Sequence, residues 1–323
     1  MNLREYASLS EKELIDIIQK GKAEKNILVI AHNYCRPEVQ AIADFQGDSL
    51  ALSRIARDAK EPIILFAGVL FMAETAKILS PEKTILVPDS QATCPLASDA
   101  AYEDVLEMKK KYPDAEFVAY VNSSAEVKSL VDICCTSTNA VDVIASIPRE
   151  KDIVFLPDSN LGSFVMKKTG RKNITLWDGG CYVHKMITSD WVKKAREKYP
   201  DATIIVHPEA PVETSELADL VGSTGFMYKY AMEHPNETII LGTEVGLVDR
   251  IKMEKPEINI LPLKPSAICS NMKLNTLAKI ARSIDNMVYE VKLSDDILNN
   301  ARNAIEKMVS IGTTHTKKTR NTL

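Results

Sequence analysis

Thr84-Ile85-Leu86-Val87-Pro88-Asp89-Ser90-Gln91-Ala92-Thr93-Cys94-Pro95 reads as a buried parallel strand, ended by a proline, with a cysteine delivered from the loop beyond. The same device recurs in Ile174-Thr175-Leu176-Trp177-Asp178-Gly179-Gly180-Cys181. It recurs again where Ile258-Asn259-Ile260-Leu261 runs through Pro262 and Pro265 into Cys269. The three cysteines stand 87 and 88 residues apart. One period at three strand ends predicts three copies of one unit, each offering a thiolate to a common point.

Working upstream from Thr84 gives the content of one unit. Ser10 to Lys20 is an amphipathic helix with Ser10 as its cap, and Asn26 to Ala31 is a buried strand ending at His32-Asn33-Tyr34. A helix follows Pro37, and Ala43-Asp44-Phe45 leads to Gly47-Asp48-Ser49 and another helix. Pro62 to Phe66 is a strand and Met72 to Leu79 a helix. This βαβαβαβ order with short loops predicts a parallel sheet. Moving downstream by about one period, Glu116 to Asn122 and Thr203 to Glu209 take the place of the first strand. Val131-Asp132-Ile133 and Ala218-Asp219-Leu220 stand where Ala43-Asp44-Phe45 stood. Lys111-Tyr112-Pro113-Asp114-Ala115 and Lys198-Tyr199-Pro200-Asp201-Ala202 share their wording 87 residues apart.

The expected fold is therefore α/β: three similar doubly wound parallel-sheet (αβα) domains about a pseudo-threefold axis and a central cavity. The expected boundaries are 1–112 with the N-terminal helix, 113–199, 200–289, and 290–323 for a C-terminal helix and polar tail. The tail, Gly312 to Leu323, is expected to fray.

Composition excludes several function classes. A net charge of −4 provides no basic field for nucleic acid. The longest apolar run, Ile63 to Ala73, is too short for a helix to span ~30 Å of hydrocarbon. The opening Met1-Asn2-Leu3-Arg4-Glu5 has no export-signal pattern. The expected location is cytoplasmic, with the six cysteines as reduced thiols.

Ligands of open parallel sheets bind beyond the carboxyl ends of the strands. Aligned by the repeat, those ends carry His32 and Tyr34, then Tyr120 and Asn122, then His207 and Glu209. The second strands are followed by Ser49, Ser137 and Thr224, each expected to open and cap a helix whose N-terminus suits an anion. Cys94, Cys181 and Cys269 complete the ring. Structural zinc takes four ligands with close cysteine pairs, whereas a [4Fe–4S] cluster held by three thiolates leaves one iron open as a Lewis acid. That is hydro-lyase chemistry. Cys35, Cys134 and Cys135 fall outside the phase, although Cys134 and Cys135 end a strand expected to face the same cavity. They are expected not to be ligands.

His32-Asn33-Tyr34, Ala43-Asp44-Phe45-Gln46-Gly47-Asp48-Ser49, Tyr120-Val121-Asn122, Leu156-Pro157-Asp158, His207-Pro208-Glu209, Gly222-Ser223-Thr224 and Gly242-Thr243-Glu244 resemble the quinolinate synthase family, from about Asn26 to Met272. The resemblance implies a [4Fe–4S] cluster on Cys94, Cys181 and Cys269. It implies condensation of iminoaspartate (iminosuccinate) with dihydroxyacetone phosphate to quinolinate, phosphate and water in NAD biosynthesis, with functional coupling to an L-aspartate oxidase or dehydrogenase. By the same resemblance His32, Ser49, Tyr120, Asn122, Ser137, His207, Glu209 and Thr224 line the substrate pocket. Glu209, Tyr34, His207 and His32 are the acid–base candidates. Some members carry a C-x-x-C-x-x-C run at the third ligand, but here Cys269 stands alone in Ala267-Ile268-Cys269-Ser270-Asn271-Met272.

Three rivals stay open at this point. One is another open-iron hydro-lyase acting on a different polycarboxylate. A nucleotide-binding module is weakened by the lack of G-x-G-x-x-G and G-x-x-x-x-G-K-[ST]. A structural metal protein would use its centre only to staple the domains.

Overall fold

The computed structural model of the chain describes residues 2–312. The strands β1 (Ile27–His32), β2 (Phe45–Gly47), β3 (Ile63–Ala67) and β4 (Thr84–Leu86) form a parallel sheet in the order β2-β1-β3-β4. The strands β5 (Glu116–Tyr120), β6 (Ile133–Cys135), β7 (Ile153–Leu156) and β8 (Ile174–Leu176) repeat that order as β6-β5-β7-β8. The strands β9 (Thr203–Val206), β10 (Leu220–Val221), β11 (Ile239–Gly242) and β12 (Ile260–Pro262) repeat it again as β10-β9-β11-β12. The α/β class with three like parallel sheets is the one expected. No helix among the described residues is long and apolar enough to cross a membrane.

One hydrogen bond shows how the repeat works. Asp44 Oδ2 accepts the amide of Val29, Asp132 Oδ2 that of Phe117, and Asp219 Oδ2 that of Ile204, each at 2.8 Å. The second strand of each unit is too short to pair with this amide of the first strand, and a buried N–H without a partner is costly. The aspartate that precedes the second strand supplies the acceptor, so this shared motif residue is structural.

Element ends differ from expectation where local backbone chemistry decides. The first long helix is Glu11–Lys25, capped by Ser10 as expected, and Asn26 is its left-handed C-cap (φ 54°) instead of the first strand residue. Asparagine tolerates that conformation better than most residues. The helix after β3 is Leu70–Leu79, starting before Met72.

Ile204, Val206 and Ile240 face one core of the third sheet, while Ile205, Ile239 and Leu241 face another, as alternating side chains in a doubly covered sheet must. The first and second sheets share a single continuous core. Helix Asp295–Ser310 helps close it by lying across β6 and the helix Leu70–Leu79. Helix Leu277–Asn286 returns to pack on Glu11–Lys25. The approach is so close that a Cβ on Gly21 would meet Ile284 Cγ2 at 2.3 Å. Of the tail expected to fray, all but Gly312 lies outside the described residues.

Candidate active site

The three sheets point their carboxyl ends into one cavity with about 650 Å³ of empty space, part of it open to solvent. His32 ends β1, while Tyr34 follows it closely. Tyr120 ends β5 and Asn122 lies just past it; His207 and Glu209 follow β9. Ser49, Ser137 and Thr224 line the same space, and so do Cys94, Cys181 and Cys269. The residues singled out from the sequence are thus brought to a single cavity.

Local bonding sets the state of the histidines. The amide of Tyr34 donates to His32 Nδ1 at 3.2 Å, and that of Glu209 donates to His207 Nδ1 at 3.3 Å. An amide can only donate, so Nδ1 is the unprotonated nitrogen in both rings and Nε2 carries the hydrogen. His207 Nε2 accordingly donates to Ser137 Oγ at 3.2 Å. Burial, against the pull of the Glu209 carboxylate, lowers both imidazoles to about 3, so they stay neutral at neutral pH.

Glu209 is the charged member. Burial pushes its pKa up, but His184 and the hydrogen bond from Tyr120 outweigh that and hold it well below the usual carboxylate range. Tyr120 donates to Oε1. His184 Nδ1 lies 2.7 Å from Oε2, off the line of a well-formed hydrogen bond. Tyr34 hydrogen-bonds Thr243 Oγ1 at 2.6 Å and lies 3.4 Å from His184 Nε2. Burial and the Glu209 charge raise its phenol well above the ordinary value, so it remains protonated.

The hydroxyls correct one expectation. Ser49 and Thr224 are the first residues of their helices, but the caps are their neighbours: Asp48 Oδ1 accepts from Ala51 N at 2.8 Å, and Ser223 Oγ from Phe226 N at 3.3 Å. Ser137 opens no helix at all; it sits in a turn before Ala140–Ser146, whose cap is Asn139. With the caps made by others, the Ser49 hydroxyl is left to the cavity, and Thr224 Oγ1, which lines it too, accepts from Asn33 Nδ2 at 3.1 Å.

Cys134 and Cys135 end β6, whose next residues Thr136, Ser137 and Thr138 line the cavity, as expected. Both lie wholly buried in β6 and neither lines the cavity, because they pack inside the shared core. Cys35 is equally buried, its thiol donating to Ala67 O at 3.2 Å.

Several residues were given no site role from the sequence, although Asp158 and Glu244 stand in the motifs Leu156-Pro157-Asp158 and Gly242-Thr243-Glu244. His184 is buried on the short helix that Cys181 caps; three residues after Cys94 and Cys269 stand Ala97 and Met272, so no repeat signal marked it. Asp158 Oδ2 accepts the amide of Cys181 at 3.2 Å, and Glu244 Oε1 that of Cys269 at 3.1 Å. Lys273 Nζ, 3.0 Å from Glu244 Oε1, also donates to Tyr34 O at 2.7 Å. Burial and then Glu209 push Asp158 up to about 7.

The donor set fits a metal centre. Cys94, Cys181 and Cys269 are free thiols at one cavity, each partly accessible. Burial raises all three, Cys94 to about 12, so their thiolates need a nearby positive centre. Cys181, His184 and Glu209 also place one ligand atom each within 4.8 Å of one another.

Comparison with known proteins bears on this site. Residues 16–310 match the family model described as Quinolinate synthetase A protein. The quinolinate synthase of Caldicellulosiruptor bescii is 45% identical over 295 residues, covering 91% of this chain and 97% of that protein. That of Thermotoga maritima is 44% identical over 299 residues, covering 92% and 99%. That of Thermococcus onnurineus is 46% identical over 301 residues, covering 93% and 99%.

Proposed function

The chain belongs to the quinolinate synthetase A family of enzymes, and on that premise we propose that it makes quinolinate for NAD biosynthesis from iminoaspartate and dihydroxyacetone phosphate, releasing phosphate and water. The reading includes a [4Fe–4S] cluster on Cys94, Cys181 and Cys269, a cytoplasmic location, and an L-aspartate oxidase or dehydrogenase as source of the imine. The observation that carries it is the convergence of those three thiols, one from each sheet, on the cavity that also holds Glu209, His32 and His207. When bound, such a cluster supplies a Lewis-acid iron that polarises a substrate oxygen.

The chain's own groups divide the remaining work. Both substrates are anionic, and Ser49, Ser137 and Thr224 offer hydroxyls to them. His32 presents Nε2–H as a neutral donor. Asn122 Oδ1 is a buried atom with no hydrogen-bond partner among the described residues, so it suits a hydroxyl or imine N–H of a substrate. Carbon–carbon bond formation and the two dehydrations need proton removal and return. Glu209, ionised between Tyr120 and His184, is placed to take the proton; Tyr34, protonated at neutral pH, is placed to supply one.

The test is anaerobic. Reconstituted protein given dihydroxyacetone phosphate and iminoaspartate generated in situ should release quinolinate and phosphate in equal amounts. It should contain four irons and four sulfides per chain. A single metal ion without sulfide would instead favour a site on Cys181, His184 and Glu209, and the absence of quinolinate would end the reading.

A further inference from the structure

We propose that Asn33 is a positioning residue: its side-chain amide, held in one orientation by Arg250, makes the Thr224 hydroxyl a dedicated hydrogen-bond donor to an anionic oxygen in the cavity. The inference rests on the functional reading above, which puts anionic substrates there.

The argument is one of donors and acceptors. Arg250 Nη1 lies 2.6 Å from the Asn33 side chain, and a guanidinium can only donate. The facing atom is therefore the carbonyl Oδ1. That leaves Nδ2 to face Thr224 Oγ1 at 3.1 Å, where it donates and the hydroxyl oxygen accepts. No other hydrogen bond to this oxygen is made among the described residues, so its own O–H is left for the cavity that Thr224 lines.

The chain of contacts is rigid. Asn33 is 1% exposed, Thr224 3% and Arg250 9%, so a flipped amide would set two donors against each other out of reach of water. Arg250 is itself fixed, with Nε 2.8 Å from Glu254 Oε1 and the guanidinium 4.1 Å over the Tyr228 ring. A free threonine hydroxyl rotates and serves donors and acceptors alike; with one of its two lone pairs taken by Asn33, this one is biased toward turning its O–H to an anion. Asn33 follows β1, whereas Thr224 and Arg250 sit on helices of the third unit, so the donor exists only when the two units are docked.

The test measures binding of inorganic phosphate and, separately, of succinate to the anaerobic holoenzyme by calorimetry, which distinguishes a phosphate-facing from a carboxylate-facing hydroxyl. Asn33→Asp keeps the size and the Arg250 partner but turns the neighbouring atom into an acceptor, so the hydroxyl swings away. Affinity for one of the probes should fall roughly 10- to 100-fold, the worth of a hydrogen bond to a charged group. Thr224→Val should show the same loss and Thr224→Ser little. In the Thr224→Val background Asn33→Asp should add nothing, an outcome that a merely structural role would not produce. Arg250→Met, which frees the amide to rotate, should give a smaller loss that Thr224→Val again suppresses, and it serves if Asn33→Asp does not fold. Unchanged affinity in both the Asn33 and Arg250 variants, or losses that simply add to that of Thr224→Val, overturns the inference while leaving the functional reading standing. A wild-type holoenzyme that binds neither probe overturns both.

Discussion

The first sheet and its two counterparts share a backbone and part company in chemistry just past their third strands. There the amide of Leu70 donates to Ala92 O at 2.8 Å, that of Ser159 to Gly179 O at 3.1 Å, and that of Val245 to Ala267 O at 3.0 Å. These equivalent bonds align Val69 with Asp158 and Glu244. The two acids hold the amides of Cys181 and Cys269; a valine can hold nothing, and Val69, Phe71 and Met72 make an apolar wall beside Cys94. Triplication thus preserved what the backbone needs, while each copy's side chains diverged toward a different part of one asymmetric site.

The sharpest way to break this comparison is to ask whether the three thiols remain equivalent despite their unequal flanks. Cys94→Ser and Cys181→Ser are each expected to abolish assembly of the metal centre in a folded protein, read as iron and sulfide after anaerobic reconstitution. Wild-type content in either would remove that cysteine from the ligand set. Next in size is Glu209→Gln, which should keep the metal and lower turnover roughly 10²–10⁴-fold, the usual worth of a general base. Near-normal turnover would move proton transfer to Tyr34 or a histidine.

Smaller effects test the shared backbone. Asp132→Ala leaves the Phe117 amide unpaired and should cost about 1–3 kcal/mol in urea unfolding. Asp219→Ala should cost about the same, since the Arg196 pair it also breaks is half exposed and adds little. Very unequal losses would show that the common bond is not what the motif is for. The smallest effect expected at the centre is that of the double change Cys134→Ser, Cys135→Ser. Four irons should remain, with a stability loss of about 1–3 kcal/mol for each buried hydroxyl left without a partner. A folded double variant that assembles no centre would show that the repeat phase picked out the wrong thiols.

Much of this was legible in the chain. The alternation of strands and helices, the parallel class and the threefold repeat follow from apolar runs, proline breaks and one spacing, because such elements are set by short-range pattern. The same spacing brought Cys94, Cys181 and Cys269 into line with one another and excluded Cys134 and Cys135. What it misjudged was local or unrepeated. The caps went to Asp48 and Ser223, one residue before the hydroxyls, because the cap is the last extended residue and not the first helical one.

The sequence by itself determined three like sheets and the residues standing at their ends. Only the tertiary structure decided which of those residues meet. His184 beside Glu209, Lys273 bridging Glu244 and the Tyr34 carbonyl, and Arg250 reaching Thr224 through Asn33 are contacts between units. They depend on how the sheets dock, through cores and returning helices distant in sequence, and no local periodicity encodes that docking. Protonation followed the same division, since burial and neighbours across the cavity, not residue type, made His32 and His207 neutral and Glu209 charged.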